Sequence, residues 1–334
     1  MLLPILLMAT GLPLLVAGGE ALLRGAVGLA SLSRLAPAAI GLVVVGAGTA
    51  FPELAVSAIA AARGHTDVAV AHVVGSHLLN STLILGAAAL IRPLEIAGPA
   101  VRLQYPILVL ATLLYLTVAD DGLLARMDAF LFLACYAATC AYLGVLVRDR
   151  IGPGECRGVE AGVGEIRDAL PRASRSWVGG VALACLGMAL LAAGAGCFLA
   201  GAVQVGKMWA LRERVIGLSI VALGTGLPEL VTVLVSRFRG RDDLAISTVI
   251  GSNLFSLLGT LGLTSLVDPL PVPLGLMAWD HFWMLGVTLL LFPILCGGRR
   301  VSRAEGLTLV ATYGVYLGML LTRDINHEAA AVGS

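Results

Sequence analysis

Long apolar runs alternate with short polar intervals along the whole chain. Each run approaches the roughly 20 apolar residues that a helix needs to cross a bilayer, and Gly, Pro and charged residues separate one run from the next. The pattern predicts ten transmembrane helices in two groups of five. They are expected at about 2–30, 37–62, 68–91, 100–119, 127–147, 177–205, 213–236, 244–267, 277–296 and 304–322.

One clearly polar interval separates the two groups. Residues 148–176 are rich in charge and glycine and include Pro153 and Pro171, which indicates a linker with at most a short surface helix. The pattern therefore divides the chain into four parts. These are a first five-helix repeat over 1–147, the linker over 148–176, a second five-helix repeat over 177–322 and a tail over 323–334.

The composition agrees with an integral membrane protein. Hydrophobic residues make up 58% of the chain and charged residues 13%, with a mean hydropathy of +0.95, whereas a soluble domain carries about 25% charged residues. The loops after the odd-numbered spans hold 16 of the 22 Lys and Arg residues. The positive-inside rule then places the linker in the cytoplasm and both termini outside.

Two motifs occur twice, at a constant offset of 176 residues. GLVVVGAGTAFPELAVS at 41–57 returns as GLSIVALGTGLPELVTV at 217–233, and GSHLLN at 75–80 returns as GSNLFS at 251–256. Because each half has an odd number of spans, the second copy must be inserted upside down. The sequence thus predicts an all-α polytopic membrane protein built from two inverted five-helix repeats.

Each copy of the longer motif places a carboxylate, Glu53 or Glu229, inside an apolar span. An ionisable group at that depth costs at least ~2.5 to 3.5 kcal/mol, which indicates a functional role. Pro52 and Pro228 lack an N–H, so each is expected to break its helix at the midplane. The helix-break set is Pro52, Pro228, Gly48 and Gly224, because the prolines leave the carbonyls of the two glycines without a helical partner.

Further oxygens accompany the two carboxylates. Thr49 and Thr225 lie four residues before Glu53 and Glu229, and therefore on the same helix face. The following span adds Ser76 with Asn80 in one half and Ser252 with Ser256 in the other. Carboxylate, hydroxyl and carbonyl oxygens suit hard cations such as Na⁺ and Ca²⁺.

The paired motifs resemble those of the Ca²⁺/cation antiporter superfamily, specifically its prokaryotic sodium/calcium exchanger branch, over nearly the whole chain. The resemblance implies a protein of the prokaryotic inner membrane that works by alternating access, with spans 1 and 6 sliding against a central site. It implies Glu53 and Glu229 as the central ligands of the transported Ca²⁺ or Na⁺. The other implied ligands are Thr49, Thr225, Ser76, Ser252, Asn80 and the carbonyls of Gly46 and Ala222.

The chain departs from the family pattern at several of these positions. Ala50 and Gly226 replace the serine of the usual GTSxPE. In the second motif His77 stands for the usual Asn and Ser256 for the usual Asn or Asp, and His72 stands where Asn is common. Ser256, His77 and Asn253 are auxiliary candidates. Because fewer oxygens surround the site, the number of Na⁺ ions and the cation selectivity stay open.

The two histidines allow two interpretations. An imidazole titrates near neutral pH, so His72 and His77 could couple transport to H⁺. The favoured alternative is that they hydrogen-bond backbone carbonyls of neighbouring broken helices.

These observations predict a secondary active antiporter that exchanges Na⁺ for Ca²⁺. An H⁺- or K⁺-coupled exchanger is the alternative, and a passive cation channel is a remote one. We expect no enzyme, because the chain lacks a catalytic constellation such as HExxH. We expect no cofactor apart from the transported Ca²⁺ and Na⁺ (or H⁺). The expected partners are inorganic cations and the lipid bilayer, without nucleic acid; the oligomeric state stays open, and a monomer fits.

Overall fold

The computed structural model describes residues 2–32, 50–96, 99–150, 176–238, 242–272, 274–297 and 300–332. These residues are largely helical. The first half contains α1 (Leu2–Leu32), α2 (Phe51–Ala62), α3 (Thr66–Leu79), α4 (Leu85–Ile91), α5 (Pro99–Val118) and α6 (Arg126–Arg150). The second half contains α7 (Trp177–Met208), α8 (Glu213–Ile216), α9 (Ala222–Thr225), α10 (Leu227–Phe238), α11 (Asp242–Leu254), α12 (Leu261–Val267), α13 (Leu274–Gly297) and α14 (Arg303–Val332).

Seven helical segments within the described residues are long and apolar enough to cross a membrane. They are Leu2–Leu22, Thr66–Ile91, Trp177–Met208, Glu213–Phe238, Ala245–Val267, Ala278–Leu295 and Arg303–Arg323. The chain is therefore a helical membrane protein, but this count does not reach the ten spans expected from the sequence. The expected spans 100–119 and 127–147 coincide with α5 and α6, which are not among the seven, and α2 is a shorter apolar helix.

Three π-helical segments interrupt the long helices. Asn80–Ile84 joins α3 to α4, Gly217–Val221 joins α8 to α9, and Phe255–Thr260 joins α11 to α12. A π-helical turn widens a helix locally and is often found at functional sites. Two of these segments contain Asn80 and Ser256, which are the last residues of the two shorter motifs.

The element boundaries repeat with the offset of the sequence motifs. Helices α2, α3 and α4 begin at Phe51, Thr66 and Leu85, and α10, α11 and α12 begin 176 residues later in each case. Strand β1 (Leu94–Glu95) recurs in the same way as β3 (Leu270–Pro271). Local structure thus follows the repeated sequence in both halves.

Two short antiparallel ribbons connect loops that are distant in sequence. Strand β1 pairs with β4 (Arg300–Val301), so the loop after α4 is joined to the loop before α14. Strand β2 (Leu123–Leu124) pairs with β3, which joins the loop before α6 to the loop before α13. Each ribbon therefore links one half of the chain to the other.

Helices α1 and α7 pack in close antiparallel contact through glycines spaced seven residues apart. At Gly18, for example, a Cβ atom would lie only 2.7 Å from the backbone nitrogen of Leu191. The glycines at this interface are Gly11, Gly18 and Gly25 on α1 and Gly180, Gly187, Gly194 and Gly201 on α7. Small residues of this kind let helix backbones approach each other within a membrane.

Helix α3 lies at the centre of the protein. Every residue from Val68 to Leu79 is buried. Gly75 lets α3 approach the π-helical segment Gly217–Val221, since a Cβ atom at Gly75 would lie 2.6 Å from the carbonyl oxygen of Leu218. This contact brings the polar residues of α3 next to those that follow α8.

Candidate ion-binding site

The two glutamates occupy the first turns of two helices that begin at equivalent positions. α2 begins at Phe51, directly after Ala50, and α10 begins at Leu227, directly after the turn at Gly226. Ala50 supplies no side-chain cap to α2, because an alanine has no hydroxyl to donate or accept. A helix N-terminus favours negative charge through its unpaired N–H groups and its dipole, which stabilises a carboxylate in the first turn.

Hydroxyl groups from both halves of the chain donate hydrogen bonds to the carboxylate of Glu53. This carboxylate is fully buried. Its Oε1 accepts a hydrogen bond from Ser76 on α3, and its Oε2 accepts one from Ser256 in the π-helical segment Phe255–Thr260. Glu53 therefore sits at the junction of the two halves, with a donor on each carboxylate oxygen.

Glu229 has a different environment from that of Glu53. Only 2% of the residue is exposed, yet neither of its carboxylate oxygens has a hydrogen-bond partner among the described residues. It lies within electrostatic range of Glu53. Leaving a buried carboxylate unpaired is costly, so this group needs a compensating cation or proton.

Two more atoms of predicted ligand residues resemble the Glu229 carboxylate, because they are buried without a hydrogen-bond partner in the described residues. Asn80 Oδ1 and Ser252 Oγ are buried and also lack a hydrogen-bond partner within the described part of the chain. Carboxylate, amide and hydroxyl oxygens of this kind are the ligands that Ca²⁺ takes in proteins. Glu229, Asn80 and Ser252 are all residues that the sequence motifs single out. Other buried oxygens without a partner in the described residues belong to Gln104, Thr260, Thr264 and Tyr313.

A chain of amide hydrogen bonds orients Asn80. Its Nδ2 donates to Asn253 Oδ1 at 3.1 Å and lies 3.4 Å from Ser76 Oγ. Asn253 Nδ2 in turn donates to Ser81 Oγ at 2.8 Å. Since both protons of the Asn80 amide are used, only its oxygen is left to face a ligand.

Both histidines of the short motif region are buried and bond to side-chain hydroxyls. His72 Nδ1 lies 2.8 Å from Ser57 Oγ, and its Nε2 lies 2.7 Å from Thr225 Oγ1. His77 Nε2 lies 2.8 Å from Thr288 Oγ1. The expectation that they bond backbone carbonyls is therefore wrong, because hydroxyl-bearing side chains on neighbouring helices come closer to the rings.

The remaining predicted residues divide into two groups. Gly46, Gly48 and Thr49 lie outside the described residues. Ala222 begins α9, and its carbonyl accepts a hydrogen bond from the N–H of Gly226 at 3.0 Å. Gly224 packs against the ring of Phe198 on α7, and Pro228 is the second residue of α10.

A cleft of about 480 Å³ lies between α1 and the start of α10. Leu12, Val16 and Glu20 line it from α1, and Leu227 and Pro228 line it from α10. Pro228 directly precedes Glu229. The cleft therefore borders the first turn of α10, and Glu229 itself is not among its lining residues.

Sequence reasoning missed several polar contacts. Ser57 and Ser81 belong to the hydrogen-bond network of the site, and their proximity to the carboxylate motifs was the only signal available. Arg214 and Asp280 form a buried ion pair, and Asp280 also accepts a hydrogen bond from Tyr316 at 3.1 Å. The two charges of this pair are 66 residues apart in the chain, and no motif links them.

Comparison with known proteins identifies the class of this chain. Residues 3–145 and 179–322 match the family described as sodium/calcium exchanger protein. The chain therefore belongs to the sodium/calcium exchanger family, whose members are transporters.

Individual relatives cover almost the whole chain. It is 34% identical to the putative antiporter CaxA of Alkalimonas amylolytica, over 96% of this chain and 100% of that protein. It is 32% identical to the inner membrane protein YrbG of Escherichia coli, over 96% and 97% of the two chains. The sodium/calcium exchanger MaX1 of Methanosarcina acetivorans is 26% identical over 94% of this chain and 97% of its own length.

A solved structure has the same fold. The sodium-calcium exchanger NCX_Mj superposes with a TM-score of 0.64 at 23% sequence identity, covering 95% of this chain and 98% of its own. A shorter match, 33% identical over 124 residues, is to the sodium/potassium/calcium exchanger 1 of Mus musculus, of which it covers 11%.

Proposed function

We propose that this protein exchanges Na⁺ for Ca²⁺ by alternating access around a central site that contains Glu53 and Glu229. Its membership of the sodium/calcium exchanger family supports cation antiport in general. The observation that carries the proposal for this chain is the unpaired carboxylate of Glu229 beside a second buried carboxylate. Two negative charges in an apolar interior require cations, and antiport results if one kind of cation replaces another there.

The site would be formed at the meeting point of two inverted repeats. We propose ten spans, five in 1–147 and five in 177–322, joined by a cytoplasmic linker over 148–176 and followed by an external tail over 323–334. The matched element boundaries support this division. The ribbons also support it, since each one joins two loops that the predicted topology places on the same side of the membrane.

The proposed ligands come from both repeats. Glu229, Asn80 and Ser252 contribute buried oxygens that have no hydrogen-bond partner in the described residues. Glu53, held by Ser76 and Ser256, contributes the second charge. Thr49 and the Gly46 carbonyl remain proposals from the family resemblance. The ions are cargo, and the proposal includes no resident cofactor, no catalytic step and no nucleic-acid partner.

H⁺ and K⁺ are the alternative coupling ions, and each has one observation behind it. Two buried histidines, His72 and His77, lie on the helix that also carries Ser76, which keeps H⁺ coupling as the alternative. The partial similarity to the sodium/potassium/calcium exchanger 1 makes K⁺ a second alternative coupling ion. A channel is disfavoured, because buried carboxylates at broken helices suit an occluded site better than a continuous pore.

An ion panel in proteoliposomes tests the proposal. Uptake of ⁴⁵Ca²⁺ is measured under an outward gradient of Na⁺, of K⁺ or of H⁺, each imposed alone with the membrane voltage clamped. We expect the Na⁺ gradient to drive accumulation and the other two to leave it near the level without a gradient. If only a K⁺ or an H⁺ gradient drives accumulation, that ion and not Na⁺ is the coupling ion. If uptake is the same under all three gradients, the protein is not an antiporter.

A further inference from the structure

His72 connects the two halves of the protein at the candidate site. It lies on α3 and is fully buried. One ring nitrogen is 2.8 Å from the hydroxyl of Ser57 on α2, and the other is 2.7 Å from the hydroxyl of Thr225 at the end of α9. Both nitrogens therefore have a partner, and the ring is held from two sides.

The hydrogen bonds of Thr225 determine the tautomer of His72. Thr225 Oγ1 donates its single proton to the carbonyl of Val221 at 3.0 Å. With that proton used, the Thr225 oxygen is left as an acceptor, and we assign the imidazole proton to Nε2, which donates to it. Nδ1 consequently accepts the proton of Ser57. In this neutral tautomer both ring nitrogens of His72 and the hydroxyls of Ser57 and Thr225 all take part in hydrogen bonds.

This arrangement changes what Thr225 can offer a cation. The family resemblance implies Thr225 as an ion ligand, but its hydroxyl oxygen already receives an N–H dipole whose positive end points at it. The next residue, Gly226, contributes no side-chain oxygen. The position at Thr225 that a cation could take is thus occupied by the Nε2–H group of His72.

We propose that His72 is a specificity-determining residue whose Nε2–H takes the place of one monovalent cation at Thr225. The exchanger then moves fewer Na⁺ ions per Ca²⁺ than it would with a shorter side chain, such as Asn, at this position. An Asn side chain is too short to span from Ser57 to Thr225, so the threonine hydroxyl would be free to bind Na⁺. The inference rests on the proposed Na⁺/Ca²⁺ exchange at this site.

The test is the coupling ratio of His72→Asn. In proteoliposomes with the voltage clamped at zero, the logarithm of the equilibrium ⁴⁵Ca²⁺ ratio is plotted against the logarithm of the Na⁺ ratio, and the slope gives the number of Na⁺ ions per Ca²⁺. We expect the slope of His72→Asn to exceed that of the wild type by about one ion, since one more hard-cation site becomes available. Adding Thr225→Val to His72→Asn should cancel the increase.

His281→Asn is the matched control. His281, on α13, is also a buried imidazole bonded to a hydroxyl, at 2.9 Å from Tyr115, and neither of these two residues is among the proposed ligands. The slope measured for His281→Asn should equal that of the wild type. An unchanged slope in His72→Asn, or an equal increase in His281→Asn, overturns the role of His72. A wild-type slope of zero would instead overturn the proposed Na⁺ coupling.

A measurement on the unmodified protein covers the case in which His72→Asn does not fold. The ¹⁵N spectrum of the five histidines is recorded during a Na⁺ titration, with His72 assigned by substitution of the other four. We expect His72 to show a protonated Nε2 whose shift stays constant up to saturating Na⁺. A Na⁺-dependent shift, which would indicate a cation arriving at Thr225, contradicts the inference.

Discussion

The hydroxyl of Ser256 donates a hydrogen bond to Oε2 of Glu53, although the two residues are 203 positions apart. Ser76 donates to the other oxygen of the same carboxylate. Each half of the chain thus supplies one donor to a single buried charge. Glu229, the repeat counterpart of Glu53, has no such donors within the described residues.

Ser256→Ala should destabilise the ion-free protein. A hydrogen bond to a charged group contributes about 1.5–3 kcal/mol, and its loss leaves Glu53 with a single donor. The free energy of unfolding in detergent, without Na⁺ or Ca²⁺, measures the effect.

Ser265→Ala provides the comparison for this measurement. Ser265 is equally buried but donates only to the carbonyl of Leu261 in its own helix, so we expect a loss of about 0.5–1.5 kcal/mol. Equal losses for the two variants would mean that the bond to Glu53 has no special energetic role.

Glu229→Gln should raise the stability of the ion-free protein and remove its stabilisation by Ca²⁺. The substitution neutralises a buried charge that has no hydrogen-bond donor in the described structure, and removal of such a charge relieves its desolvation cost. We expect the unfolding temperature to rise by about 2–6 °C.

Glu53→Gln provides the comparison for the unfolding temperature of Glu229→Gln. Since Glu53 has two hydroxyl donors, its neutralisation relieves less desolvation cost, and we expect a smaller rise in unfolding temperature. If Glu229→Gln unfolded at the same temperature as the wild type or at a lower one, Glu229 would have partners that the described residues do not reveal.

Asn253→Ala should weaken Ca²⁺ binding without changing the maximal rate. Asn253 holds the amide of Asn80 through a 3.1 Å hydrogen bond, and without it the Asn80 oxygen loses its fixed orientation. We expect the half-saturating Ca²⁺ concentration to rise about 3- to 10-fold, which corresponds to one neutral hydrogen bond. Initial rates of ⁴⁵Ca²⁺ uptake against Ca²⁺ concentration measure this.

Ser81→Ala tests the other end of the same chain. It removes the acceptor of Asn253 but leaves the bond between Asn253 and Asn80 in place, so the affinity should change less. A larger effect of Ser81→Ala would contradict the orienting role of Asn253.

Asp280→Asn should be among the most destabilising single substitutions. It removes the carboxylate that faces the buried guanidinium of Arg214, and breaking a buried pair from one side costs about 3–5 kcal/mol. The double substitution Arg214→Met with Asp280→Leu should cost much less, because it removes both charges together. Thermal unfolding of both variants checks the prediction, and a double variant as unstable as Asp280→Asn would refute it.

The sequence predicted the parts of the site that depend on local pattern. The repeated prolines mark where α2 and α10 begin, and the position of each glutamate after its proline places both carboxylates in a first helical turn. Likewise, the identity of the two motifs predicted equivalent boundaries in the two halves.

Features that depend on contacts between distant segments could not be predicted. The π-helical segments have no local signature, and the difference between Glu53 and Glu229 arises from which hydroxyls the packing brings close. His72 could be recognised as unusual, but its partners Ser57 and Thr225 come from two other helices. The pair of Arg214 and Asp280 joins α8 to α13, two helices that are far apart in the sequence.

The most direct test of the central claim is Na⁺-driven accumulation of ⁴⁵Ca²⁺ by the wild type and by Glu229→Gln in matched proteoliposomes. Glu95→Gln, at an exposed position on β1, controls for reconstitution of a Glu→Gln variant. We predict accumulation against the Ca²⁺ gradient by the wild type and by Glu95→Gln, and none by Glu229→Gln. Accumulation by Glu229→Gln at the wild-type rate, or wild-type uptake that ignores the Na⁺ gradient, would contradict Na⁺/Ca²⁺ exchange at this site.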